Sequence, residues 1–181
     1  MTFPKFCGII FKEVKLGIRD VELKRLLSYA QALNIKVIFK PFIPYSDAAA
    51  HWAIDGSEII VHKRTQESKI SVILSLIHEL GHQLEFIHHH NRKPSIPLAI
   101  ALNNDELKKQ RKIVVDYEVK SATWWEAIYK ECDMKFPLYK LHFQKEFDIW
   151  QYEVYYENGD FPTRTMQRAK IKELNKKWRK K

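Results

Sequence analysis

Cysteine is almost missing from this 181-residue chain: Cys7 and Cys132 are the only two, far apart in sequence. That excludes a disulfide framework and a cluster of thiolate metal ligands, and a reducing compartment is the simpler expectation. Long apolar runs are missing as well. No stretch approaches the ~20 residues of a membrane span, and the apolar segment at residues 6–11 is too short for a secretory signal and is followed by charges. Glycine-rich phosphate loops, internal repeats, low-complexity tracts and recognised DNA-reading motifs do not occur. What remains is the expectation of a soluble, cytoplasmic protein, long enough to bury one core.

Charge is plentiful but unevenly placed. Residues 163–181 hold nine Lys or Arg against Glu173, a net of +8 in a chain whose total is +9. The rest of the protein is therefore almost neutral. A basic, helix-prone tail of this kind suits nucleic-acid phosphate, an acidic protein or a membrane surface, and equally a solvated end that keeps the protein soluble. Met166, Ala169, Ile171 and Leu174 give it a second face with which to dock.

Apolar periodicity sketches the order of elements. Residues 6–14 have the composition of a short strand. Val21, Leu23, Leu26, Leu27, Ala30 and Leu33 repeat at helical spacing behind Asp20, read as an N-cap, with Asn34 at the helix end. Residues 35–40 read as a strand stopped by Pro41 and Pro44, and residues 51–62 as a hairpin around Asp55-Gly56. A long helix opens near Ser68, or at Thr65, and runs to about Phe86 or His88. Pro94 and Pro97 mark a connection, Asn104 a cap, and a second long helix spans about 105–132. After Phe136-Pro137 a helix rich in aromatics runs to about Glu157 and is expected to pack as core, with Asn158-Gly159 ending it.

The chemistry concentrates in His78-Glu79-Leu80-Gly81-His82, inside the first long helix. Two histidines four residues apart on a helix are separated by about 40° and about 6 Å of rise, so both imidazoles reach one metal ion. Glu79 falls within the same arc of about 100°, close enough to act on water held by that ion. Ile73, Leu76, Leu80, Leu84 and Ile87 occupy the opposite side of the wheel. One helix thus carries a metal face and a core face.

This pentad resembles the HExxH signature of the zincin metalloproteases, in its HELGH form. The resemblance implies that His78 and His82 bind Zn2+ and that Glu79 is the general base, taking a proton from zinc-bound water and delivering it to the leaving amine. Neutral imidazole ligands suit that role, because they leave the ion cationic enough to bring the pKa of bound water from about 15.7 towards 7. A third protein ligand is required, and with two histidines it is commonly a carboxylate. Asp116 and Glu118 are the candidates in the second long helix.

Glu118 is followed by Ser121, Ala122, Trp124, Trp125 and Ala127, which is similar to the third-ligand helix of gluzincins and, among them, of ImmA/IrrE-type peptidases. The small residues make physical sense, since helices must approach closely for a glutamate on one to meet histidines on another. Lys120 departs from that pattern, which often has a second glutamate there. His88 stands at the spacing of a third zinc histidine in metzincins, but Glu85 replaces their helix-breaking glycine. On a continuous helix His88 is rotated about 120° from His82 and about 9 Å along the axis. His142 and the tyrosines of the aromatic helix are candidates to stabilise a tetrahedral intermediate, and nothing in the sequence selects one.

The resulting expectation is an α+β, zincin-like fold with a small sheet packed on the HExxH helix and additional C-terminal helices. Residues 1–135 would form the metallopeptidase domain, 136–160 an aromatic-rich helix packed on it, and 161–181 a basic tail. The expected activity is zinc-dependent hydrolysis of a protein or peptide, by resemblance a regulatory and even DNA-bound one. The competing class is a non-catalytic zinc protein that binds nucleic acid through its tail, with His89 or Asp116 closing a four-ligand metal shell.

Overall fold

The most buried helix is the one that carries the HELGH pentad. In the computed structural model, which describes residues 18–41, 50–52, 58–63, 68–89 and 105–178, the elements run α1 (Ile18–Ala32), β1 (Lys36–Pro41), β2 (Ala50–Trp52), β3 (Glu58–Lys63), α2 (Lys69–His88), α3 (Asp105–Ser121), a 3-10 turn (Ala122–Trp124), α4 (Trp125–Glu131), α5 (Leu138–Asn158) and α6 (Arg164–Trp178). The protein is α+β and mostly helical. Its three-stranded sheet has the order β1-β3-β2, with β1 parallel and β2 antiparallel to the central β3. Ala50 and Trp52 pair with Val61 and Ile59, so the two arms of the expected hairpin are antiparallel neighbours where they are described. The Asp55-Gly56 turn, the strand at residues 6–14, the Pro94–Pro97 connection and the caps at Thr65 and Asn104 lie outside the described residues.

Helix α2 lies between two layers. It packs on β2, β3 and α1 on one side and on α3, the 3-10 turn and α4 on the other. Ile73, Leu76, Ile77 and Leu80 are fully buried and join Leu26 and Ala30 of α1, Ile59 and Val61 of β3, and Trp125 and Ile128 of α4. Each such aliphatic side chain contributes about 1.5–3 kcal/mol of transfer free energy. Ile87, expected on the core face, is exposed instead; it lies in the last turn of α2, one residue from the helix end. Ser68 does cap α2, its Oγ accepting from the amide of Ser71 at 3.2 Å.

Two expected boundaries differ. Helix α1 begins at Ile18, so Asp20 is not its cap; the carboxylate lies in the first turn and pairs with Lys69 of α2 at 2.7 Å. The second long helix is interrupted after Ser121. There the Ser121 hydroxyl donates to the carbonyl of Glu118 and the Thr123 hydroxyl to that of Lys120, side-chain bonds that compete with the helical ladder and accompany the tighter 3-10 turn.

Buried Glu22 of α1 accepts from the amides of Lys135 (2.5 Å) and Phe136 (2.9 Å), and Arg25 pairs with Asp133, which adopts φ 48°. These contacts fix the turn between α4 and α5, and hence where α5 starts. Helix α5 then packs on α3, and α6 packs on α5. The aromatic residues of α5 are not mainly core: Tyr155 is buried, while Phe143, Phe147 and Trp150 are half-buried on another face and contact one another. A period of 3.6 residues spreads a run this dense around the helix instead of confining it to one stripe. Among the described residues no helix is long and apolar enough to cross a membrane.

Candidate metal centre

Gly81 sets the distance between the two helices that build the site. A Cβ added there would lie 2.7 Å from the carbonyl oxygen of Ser121 and 2.9 Å from Cδ1 and Nε1 of Trp125. Only glycine lets α2 come this close to the end of α3, and Ser121 and Ala122 are the small, buried residues on the opposing side. One turn back along α3, Glu118 therefore reaches the histidines of α2.

The three side chains converge through single atoms. Nε2 of His78 and Nε2 of His82 are 3.0 Å apart, and Oε2 of Glu118 lies 3.4 Å from the first and 3.3 Å from the second. Among the described residues, this is the one group of three or more His, Cys, Asp or Glu whose ligand atoms cluster for a metal ion. Zinc bonds to nitrogen and oxygen are about 2.0–2.1 Å, which gives a tetrahedron with edges of about 3.3 Å. The observed triangle has the dimensions of one face of that tetrahedron, so the donor set fits zinc in both chemistry and size.

Glu79 follows His78 on α2 and is buried; its charge acts on both His78 and Tyr152. Helix α5 supplies two further groups that belong to no sequence motif. Oδ2 of Asp148 lies 3.3 Å from Nδ1 of His78, and Gln144 and Gln151 donate to Oδ1 of the same carboxylate at 2.8 and 3.4 Å. The Tyr152 hydroxyl donates to Glu118. From α3, the Tyr117 ring stacks on His82 at 5.1 Å and its hydroxyl donates to the His82 carbonyl at 3.0 Å.

Electrostatics follow from this crowding. Burial opposes ionisation of His78, but the hydrogen bond to Asp148 and the charges of Glu118, Glu79 and Asp148 outweigh it and raise its pKa to about 10. Burial likewise opposes ionisation of Glu118, yet His82, His78 and the Tyr152 hydroxyl hold its carboxyl below the usual range. Burial, together with the surrounding carboxylates, pushes the Tyr152 phenol well above its ordinary value, so it stays a donor.

The other sequence candidates lie elsewhere. Asp116 is exposed on α3. His88 stacks on Trp124 at 4.5 Å, and Nδ1 of His89 lies 3.0 Å from Oε1 of Glu85. Glu85, buried, also accepts from Nε1 of Trp124 at 3.0 Å, so the residue in place of the metzincin glycine ties the end of α2 to the 3-10 turn. His142 stacks on Trp178 of α6 at 5.2 Å, and Tyr152 is the residue of α5 with a hydroxyl at the site. A signal for the α5 residues does exist in sequence: Leu141, Gln144, Asp148, Tyr152 and Tyr155 share one helical face, and an acid on a buried stripe demands a partner. Comparison with protein families, with curated proteins and with solved structures finds no match for this chain.

Proposed function

We propose that the protein is a zinc-dependent endopeptidase of zincin-like fold, in which His78, His82 and Glu118 hold the metal and Glu79 is the general base. The triangle of ligand atoms, with edges of 3.0, 3.3 and 3.4 Å, carries this reading. A small sheet ahead of the HELGH helix and a buried carboxylate next to the ligands support it. Zinc bound there supplies a Lewis acid that polarises the scissile carbonyl and brings the pKa of water towards 7.

The chain's own residues supply the rest. Asp148 accepts the Nδ1 proton of His78, so the proton that a metal at the site would displace is the one on Nε2, the nitrogen turned to the metal position. Glu118 remains ionised and offers negative charge there. Glu79 takes the proton of the attacking water and hands it to the departing amine. The substrate is a protein or peptide, and the resemblance to ImmA/IrrE-type peptidases favours a cytoplasmic regulatory protein. A closed structural site would need a fourth ligand, and neither residue considered for that role is at hand: His89 is paired with Glu85 and Asp116 faces solvent.

Metal analysis and cleavage assays on two variants test this. Glu118→Ala should lose most of its zinc, whereas Asp116→Ala should keep it, since two histidines alone make a poor site. Glu79→Gln should retain zinc and fold while turnover falls by about two or more powers of ten, read from the new peptide termini in cells expressing each form. Identical termini from wild type and Glu79→Gln would refute the hydrolytic mechanism.

A further inference from the structure

The basic C-terminal segment is not a loose tail where it is described. It forms α6, seated on α5 by buried Leu174 and by two of its own cations. Lys177 pairs with Glu146 at 2.7 Å, and Trp178 donates to the same carboxylate at 3.1 Å. Lys170 pairs with Glu173 at 2.9 Å and stands 6.0 Å above the Trp150 ring. The other four cations, Arg164, Arg168, Lys172 and Lys176, are exposed and make no ion pair among the described residues. They recur at every fourth position.

On a helix that spacing produces a ridge. Each step advances about 6 Å and turns about 40°, so the four charges climb about 18 Å through an arc of about 120°. The arc lies away from the Leu174 side, contains no acidic residue, and includes Thr165 and Asn175; the one large apolar side chain that borders it is exposed Ile171, about 20° beyond Arg164. Because α6 is docked, the ridge is a fixed array and not a cloud of charge. We propose that this face of α6 binds the phosphate backbone of duplex nucleic acid without reading its sequence.

Three features select that partner. A regular row of equal charges matches a polymer that presents one phosphate charge per about 1.7 Å of axis, so that the ridge spans about ten of them. Adsorption to a lipid surface by an amphipathic helix relies on a broad apolar face next to the cations, and this ridge is bordered by a single large apolar side chain, Ile171. Single-stranded nucleic acid is held by stacking on exposed aromatics, which the arc lacks. The proposal is independent of the metal centre: the ridge is on α6, and the metal site is built by α2, α3 and α5.

The test is fluorescence anisotropy of a labelled duplex of arbitrary sequence with the full-length protein, between about 50 and about 200 mM salt. Four neutralised phosphates give a slope of log K on log salt near −3.6, a loss of roughly a hundredfold over that range. Replacing Arg164, Arg168, Lys172 and Lys176 together by Gln should remove most of that slope and weaken binding more than tenfold at low salt. These side chains are exposed and unpaired, so circular dichroism and zinc content should not change. A control with Lys24, Lys112, Lys120 and Lys130, exposed on other elements, changed to Gln has the same net charge and should bind as the wild type. Equal loss in the control, no duplex binding by the wild type, or salt-sensitive retention only on vesicles containing phosphatidylserine would each overturn the proposal.

Discussion

Nδ1 of His78 lies 3.3 Å from Oδ2 of Asp148, seventy residues along the chain and on a different helix. In the proposed metal centre this carboxylate fixes the tautomer of the imidazole and raises its basicity as a ligand. Asp148→Asn keeps the shape but removes the charge. Zinc affinity, measured by competition with a chromophoric chelator, should fall about 10–100-fold, with the helical circular-dichroism spectrum unchanged. Unaltered affinity would show that the contact does not orient the ligand.

Gly81→Ala sets two effects against each other. Alanine is favoured over glycine inside a helix by up to about 1 kcal/mol. Here, however, the new methyl meets a backbone carbonyl at 2.7 Å, and a carbonyl in a packed helix end cannot swing aside as a flexible side chain can. Overpacking typically costs about 1–3 kcal/mol, so the variant should have a lower Tm. It should also bind zinc more weakly, because separating α2 from α3 draws Glu118 away from the histidines. A raised Tm would contradict the close approach described above.

Acid should release α6. Burial tends to raise the Glu146 pKa, but hydrogen bonds from Lys177 and Trp178 and the nearby lysine charges hold it below its ordinary 4.5. A depressed folded-state pKa stabilises the docked state above about 4.5, and that contribution is lost as pH falls through the folded value. In Trp178→Phe difference spectra, the fluorescence contribution of Trp178 should therefore change in a single step below pH about 4.5. Glu146→Gln should abolish the step. A step of the same midpoint in that variant would assign it to another group.

The pairing of the two histidines proposed as ligands is legible in sequence because a helix imposes its own geometry: four residues bring His78 under His82 without reference to any other part of the chain. Glu118 could be found because close packing leaves a local trace, here Ser121 and Ala122. Asp148 and Tyr152 leave a fainter trace, an acid and a phenol on an otherwise buried stripe, which does not say what they meet. They reach the site through the course of the chain from α3 to α5, which depends on Glu22 capping a turn more than a hundred residues away. The 3-10 turn was hidden for a related reason, since Ser121 and Thr123 are compatible with a continuous helix until their hydroxyls choose backbone carbonyls. Of the tail, composition revealed the charge, but not which cations dock α6 and which face solvent.

The position of α5 also bears on where the chain may be cut. Asp148 contacts His78 and Tyr152 donates to Glu118, so both belong to the smallest stretch able to hold the proposed site complete. A fragment ending at residue 135 would keep His78, Glu79, His82 and Glu118 yet uncover the side of α3 on which α5 rests. Expression boundaries should therefore lie beyond Asn158, where Gly159 at φ 80° closes the helix.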